Sequence, residues 1–189
     1  MSLQQAIEQV NTINRPAFIP YVMAGDGGLA NLPSIISRLE KLGATAIEIG
    51  IPFTDPVADG PVIEEAGMRA LANGTTLKKV IETLRTNRNE FSIPLIFMSY
   101  LNPILAYGQE QFARDAYEAG VHGVIIPDMP LEEKEILHPY LKASNIALIQ
   151  LISLTSDADR MEKLAKASEG FIYAVTVNGV TGVRQTFND

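Results

Sequence analysis

Six short apolar or β-branched runs recur along the chain with helical stretches between them, and no other feature narrows the choice of fold so sharply. The runs are AFIPYVMAG from residue 17, TAIEIG from 45, PLIFMSY from 94, GVIIPD from 123, ALIQLIS from 147 and FIYAVTV from 171. Each has the length and the enrichment of a strand. In NLPSIISRLEKLG, Ile35, Ile36, Leu39 and Leu42 recur at helical intervals and Gly43 is placed to end the helix. QEQFARDAYEAG and DADRMEKLAKAS repeat the form, and LEEKEILHPYLKAS does so with a kink or break predicted at Pro139.

The strand starts fall 28, 49, 29, 24 and 24 residues apart, a βα repeat with one enlarged unit between the second and third strands. Such repeats with right-handed crossovers give either a doubly wound open sheet or a closed eightfold barrel, and periodicity does not separate the two. Polar residues inside the strand runs suit a barrel whose inner face meets a ligand, and AGDGG after the first strand lacks the spacing of a dinucleotide-binding turn. The fold expected is therefore α/β, of the (β/α)8 TIM barrel family, here with about six βα units and incomplete at its C-terminal end. All of residues 1–189 are read as a single domain.

Composition removes several classes of function. Apolar residues make up 47% and charged residues 20%, as in an ordinary globular protein. No apolar run reaches the roughly 18 residues of a membrane span, and MSLQQAIEQV carries acid where a secretory signal carries base, so a cytoplasmic location is expected. There is no cysteine, and His122 and His138 lie apart, so no metal is expected. A formal charge of −7 with scattered Lys and Arg argues against nucleic acid.

The enlarged unit opens with EIGIPFTDPVADGP, residues 48 to 61. Alternation puts Ile47, Ile49 and Ile51 on one face of the strand and Ala46, Glu48 and Gly50 on the other. If the isoleucines pack under the helices, Glu48 points into the barrel, where lost solvation disfavours its charged form. None of the six runs contains Lys, Arg or His, so a working acid or base with a raised pKa is weighed above a buried salt bridge. Asp55 and Asp59 both have good turn chemistry, yet their loop follows the C-terminal end of a strand, where barrel active sites are built. Pro52, Pro56 and Pro61 stiffen it.

Asp128 is either a helix-start acid or a residue of the mouth. Tyr100, Asn102 and Tyr173 place aromatic and amide groups near strand ends, as a flat aromatic ligand requires, although core packing is the commoner fate of a tyrosine. His122 is expected to cap the helix before it, and His138 to lie at the surface. VNGVTGVRQTFND, with Gly179 and Gly182, reads equally as a lid or as a frayed end.

Taken in order, PYVMAGDGG, IEIGIPFTDPVADGPVIEEA, MSYLNPIL, IIPDMPLEE and VNGVTGVR closely resemble the alpha chains of tryptophan synthase, along the whole sequence. The resemblance implies an eight-stranded barrel that cleaves indole-3-glycerol phosphate to indole and glyceraldehyde 3-phosphate, a retro-aldol lyase of tryptophan biosynthesis without a cofactor of its own. It puts the catalytic acid and base on Glu48 and the stabiliser of the indole nitrogen on Asp59. Pocket positions fall on Tyr21, Tyr100 and Tyr173, and the substrate-closing loop on Thr181 and Gly182. Asn102 and Asp128 fall on the surface facing a beta chain, which carries pyridoxal phosphate, in an alpha2beta2 assembly.

The family continues for two further βα units, whose loops supply most of its phosphate grip. Weak or no activity is therefore expected of these 189 residues by themselves. The rival readings are another phosphosugar-binding barrel enzyme, for which a metal, Lys or Cys at a strand end is wanted, and a catalytically weak barrel that only binds the beta chain.

Overall fold

The computed structural model describes residues 2–153 and 155–175. Six strands, β1 (Tyr21–Met23), β2 (Ile47–Gly50), β3 (Leu95–Met98), β4 (Val121–Ile125), β5 (Ala147–Ser153) and β6 (Ile172–Val175), lie side by side in chain order and all in parallel. A doubly wound sheet reverses its strand order partway across. This one never does, so the topology is that of the barrel family.

Helices fill every crossover. α1 (Leu3–Thr12) precedes the sheet and α2 (Leu32–Lys41) joins β1 to β2. The enlarged unit holds two helices, α3 (Pro61–Ala72) and α4 (Leu77–Thr86). Then α5 (Leu101–Tyr107) and α6 (Gln109–Glu118) link β3 to β4, α7 (His138–Ala143) links β4 to β5, and α8 (Ala158–Ala167) links β5 to β6.

The predicted break at Pro139 is present: a 3-10 turn over Leu131–Ile136 stops before α7, in whose first turn the proline's missing N–H costs nothing. Gly43 follows α2 with φ +92°, a conformation that favours glycine. Of the apolar residues expected to bury α2, Ile36 is buried and Leu39 half-buried, but Ile35 and Leu42 are 37% and 70% exposed. The helix presents a narrower stripe than its composition suggests, because neighbouring Ile35 and Ile36 cannot both face inward.

Alternation along the strands divides the core in two. Ile47, Ile49, Phe97 and Val124 face outward and pack against Ile36, Leu84, Phe112 and Leu141 of the helices. Ala46, Ile96, Ile125 and Ile149 face inward and form a second, smaller cluster with Leu3. Leu3 comes from α1, which was not foreseen. Ser2 and Gln5 form a capping box there, with Ser2 Oγ accepting from the Gln5 amide at 3.2 Å and Gln5 Oε1 accepting from the Ser2 amide at 2.9 Å.

Leu3 closes the floor of the sheet's inner face. A Cβ at Gly123 would come 2.9 Å from a Leu3 methyl, and one at Gly170 would come 3.1 Å from it. The register between β3 and β4 shifts beside Leu95 and Ile96, passing over His122. That histidine is a strand residue and not a helix cap: its Nδ1 bonds the Gly120 carbonyl at 2.8 Å, its ring packs edge-on against Tyr117, and burial pushes its pKa down. His138 is part-buried, not on the surface, with Nε2 3.0 Å from Glu169 Oε1; the other Glu169 oxygen accepts from the Leu148 amide at 2.9 Å.

Removing the floor should be costly. Leu3→Ala is expected to destabilise the fold by about 2–4 kcal/mol, measured as a lower urea midpoint at unchanged slope. Gly123→Ala should also destabilise the native background and cost less once Leu3 is alanine, because the two collide at one place.

Candidate active site

Glu48 stands on the inner face of β2, only 5% exposed. Its amide donates to the Pro20 carbonyl at 2.9 Å, and its ladder partners are Tyr21 on β1 and Ile96 on β3. Burial raises the carboxyl from an ordinary 4.5 to about 7, with no opposing cation among its causes. Among the described residues this carboxyl forms no hydrogen bond. The salt-bridge alternative has no partner among the described residues.

The loop after β2 brings Asp59 to that mouth. Thr54 Oγ1 donates to Asp55 Oδ2 at 2.5 Å, and the Val57 amide donates to the Asp55 carbonyl at 3.0 Å. The Asp59 amide then donates to the Pro56 carbonyl at 3.1 Å, and Pro61 opens α3. Asp55 is exposed and shapes the turn, whereas Asp59 is half-buried. Burial pushes the Asp59 pKa up, and the Tyr100 hydroxyl beside it acts in the opposite direction.

Tyr100 caps α5 and locks the loop: its hydroxyl accepts from the Ala58 amide at 2.9 Å, and its ring lies 5.2 Å from that of Phe53. Burial, first among the causes, pushes its own pKa up to about 12. Asp128 supports this arrangement from the next crossover, its carboxylate accepting from the Leu101 amide at 2.9 Å at the start of α5. It is therefore a rim residue, and the helix it caps belongs to its neighbour. Asn102 is exposed on the same helix end.

Tyr21 and Tyr173 complete the inner wall. Both have raised pKa values, by burial first and then by nearby Glu48 in the case of Tyr173. The structure thus gathers Glu48, Asp59, Tyr21, Tyr100 and Tyr173 and sets Asn102 and Asp128 on the rim. Thr181 and Gly182 lie outside the described residues.

Three participants were not foreseen. Gly50 leaves room for the Tyr21 ring, the Ala58 amide ties the loop to Tyr100, and Phe53 packs against that ring. Only the inward phase of Gly50, two residues after Glu48, could have been noticed in the sequence.

Two cavities border the β2 loop. One cavity of about 510 Å³ lies between the β2 loop and helices α4 and α5, lined by Phe53, Leu77, Lys78 and Tyr107 among others, and another of about 440 Å³ lies against α8. Neither is lined by Glu48 or Asp59. The acids mark the site, because carboxyls perturbed by burial toward the C-terminal ends of parallel strands have a chemical use. Among the described residues no group of three His, Cys, Asp or Glu could hold a metal ion, and no helix is long and apolar enough to cross a membrane.

Comparison with known proteins bears on the family of the whole chain. The family model described as "Tryptophan synthase alpha chain" matches residues 7–189. The tryptophan synthase alpha chains of Bacillus cereus and Bacillus mycoides are each 55% identical over 175 residues, covering 93% of this chain and 68% of theirs. Among solved structures, the alpha subunit from Legionella pneumophila superposes with a TM-score of 0.87 at 36% identity, over 93% of this chain and 68% of that one. Tryptophan synthase from Mycobacterium tuberculosis does so with a TM-score of 0.89 at 31% identity, over 97% and 71%. With a parallel sheet in barrel order, a family model that matches residues 7–189 and relatives of this closeness, the chain belongs to the tryptophan synthase alpha chain family.

Proposed function

We propose that this chain performs the reaction of its family, the cleavage of indole-3-glycerol phosphate to indole and glyceraldehyde 3-phosphate, with Glu48 as the acid and base and Asp59 as the electrostatic partner. The observation that carries the reading is a carboxyl raised to about 7 by burial on the inner face of β2, with a second carboxyl, also raised by burial, on the loop that follows. A group titrating near neutrality is available in both of its forms at working pH, as a residue that gives one proton and takes another must be.

The steps balance. Glu48 in its acid form gives a proton to the ring carbon that bears the side chain, leaving a cationic indolenine whose N–H faces the Asp59 carboxylate. The Glu48 carboxylate then takes the proton of the hydroxyl on the adjacent carbon. That O–H bond's electron pair becomes the second bond of the aldehyde, the carbon–carbon bond breaks, and its pair returns to the ring as neutral indole. Glu48 ends as it began, which accounts for a lyase that needs no cofactor of its own. Tyr21, Tyr100 and Tyr173 would bound the flat ring, and Thr181 and Gly182 would close over the substrate.

The rim is proposed as the docking surface for a beta chain, the subunit that carries pyridoxal phosphate, in an alpha2beta2 assembly. Val57 is 81% exposed on the β2 loop and Leu105 is 39% exposed on α5, an apolar pair beside the polar Asn102 and Asp128. Such a mixture of apolar and polar groups is usual at interfaces of this kind. A cytoplasmic location accords with this role.

Two measurements on Glu48→Gln test the assignment. In the full protein with its beta chain, indole release should fall by at least about a hundredfold with little change in substrate affinity; an intact rate overturns the acid–base role. The same variant should be the more stable protein in alkali. Because the folded-state pKa of about 7 lies above the unfolded 4.5, the penalty is absent below pH 4.5, grows between the two values and is complete above pH 7. Glu48→Gln is therefore expected to raise the unfolding free energy at pH 8 by up to about 3 kcal/mol and to leave it nearly unchanged at pH 4.

A further inference from the structure

Among the described residues the Tyr21 hydroxyl has no hydrogen-bond partner. Tyr21 and Glu48 are register partners on adjacent parallel strands, so their side chains leave the sheet on the same inner face. The Tyr21 ring then leans one step toward the mouth and lies over Gly50: a Cβ there would sit 1.9 Å from the hydroxyl oxygen and 2.6 Å from the ring carbon that carries it. Only glycine at position 50 leaves that space open.

Among the described residues the hydroxyl forms no hydrogen bond, and the side chain is half-buried on the inner face beside Glu48. Around it stand Asp59 on the β2 loop, Glu48 on β2, Tyr100 after β3 and Tyr173 on β6. Burial first, and then the two carboxyls, drive its pKa well above the ordinary value. The hydroxyl therefore keeps its proton at every working pH and serves as a permanent donor, in contrast to Glu48.

Resting on the function proposed above, we propose that Tyr21 is a substrate-positioning residue whose hydroxyl, seated over Gly50, donates a hydrogen bond to the substrate oxygen on the carbon next to the indole ring. Glu48 strips the proton from that oxygen during cleavage, and a fixed donor steadies it while its charge grows. The contact also reads the substrate: a ligand without that hydroxyl leaves the donor unmatched.

Binding, measured by calorimetry on the full protein with its beta chain, tests this without relying on turnover. The probes are indole-3-glycerol phosphate, held uncleaved in a Glu48→Gln background, and its analogue lacking only the hydroxyl on the carbon next to the ring. Tyr21→Phe should weaken the first by about tenfold and leave the second unchanged. Gly50→Ala, which keeps the hydroxyl but displaces it, should cost the same preference. Equal weakening of both ligands by Tyr21→Phe, or no change in either, overturns the proposal by reducing the residue to ring packing. If indole-3-glycerol phosphate itself does not bind the Glu48→Gln protein, the lyase reading has failed and this proposal falls with it.

Discussion

The placement of one carboxyl depends on the alternation of side chains along β2. Ile47, Ile49 and Ile51 are each at most 4% exposed beneath the helices, so a slip of one residue would turn three isoleucines inward and Glu48 into the apolar layer. Pairing on both sides, through Tyr21 and Ile96, holds the same register. The position of the acid is thus fixed by the energetics of the core, and the site inherits its accuracy from packing that touches no substrate.

The two ends of the sheet divide the work. At the N-terminal end the chain invests in closure: Leu3 seals the inner face, and the Glu40 carboxylate accepts from the Ser92 amide at 3.1 Å and its hydroxyl at 2.6 Å, tying α2 to the turn before β3. At the C-terminal end it leaves polar groups open. Glu48 lies between, with the apolar cluster of Leu3, Ile96 and Ile149 below and tyrosines above. A carboxyl over a dry floor and under a polar mouth is destabilised as an anion without being cut off from protons. Both conditions are needed by a group that must donate and accept near neutrality.

Much of this was legible in the sequence because strands and helices announce themselves by period. The strand runs, the inward phase of Glu48, the stop at Gly43 and the break at Pro139 all follow from local rules that tertiary contacts did not override. What was missed depends on distant partners. No local signal says that Leu3 belongs under Gly123, that Asp128 caps a helix from another crossover, or that the space above Gly50 is taken by Tyr21. His122 belongs to β4, which starts at Val121, two residues before the apolar run that opens at Gly123.

The position of Asp59 is of this second kind, and its prolines explain only part of it. Stiffness limits the shapes the β2 loop can take but does not choose among them. The choice is made by Tyr100, whose hydroxyl takes the Ala58 amide, and Tyr100 is in turn set by the start of α5, where Asp128 accepts from Leu101. Loops from three successive strands therefore determine where one aspartate stands. A substitution at Asp128 would reach the acid pair through two hydrogen bonds and a helix end without entering the site, which is how a rim residue comes to matter to chemistry it never touches.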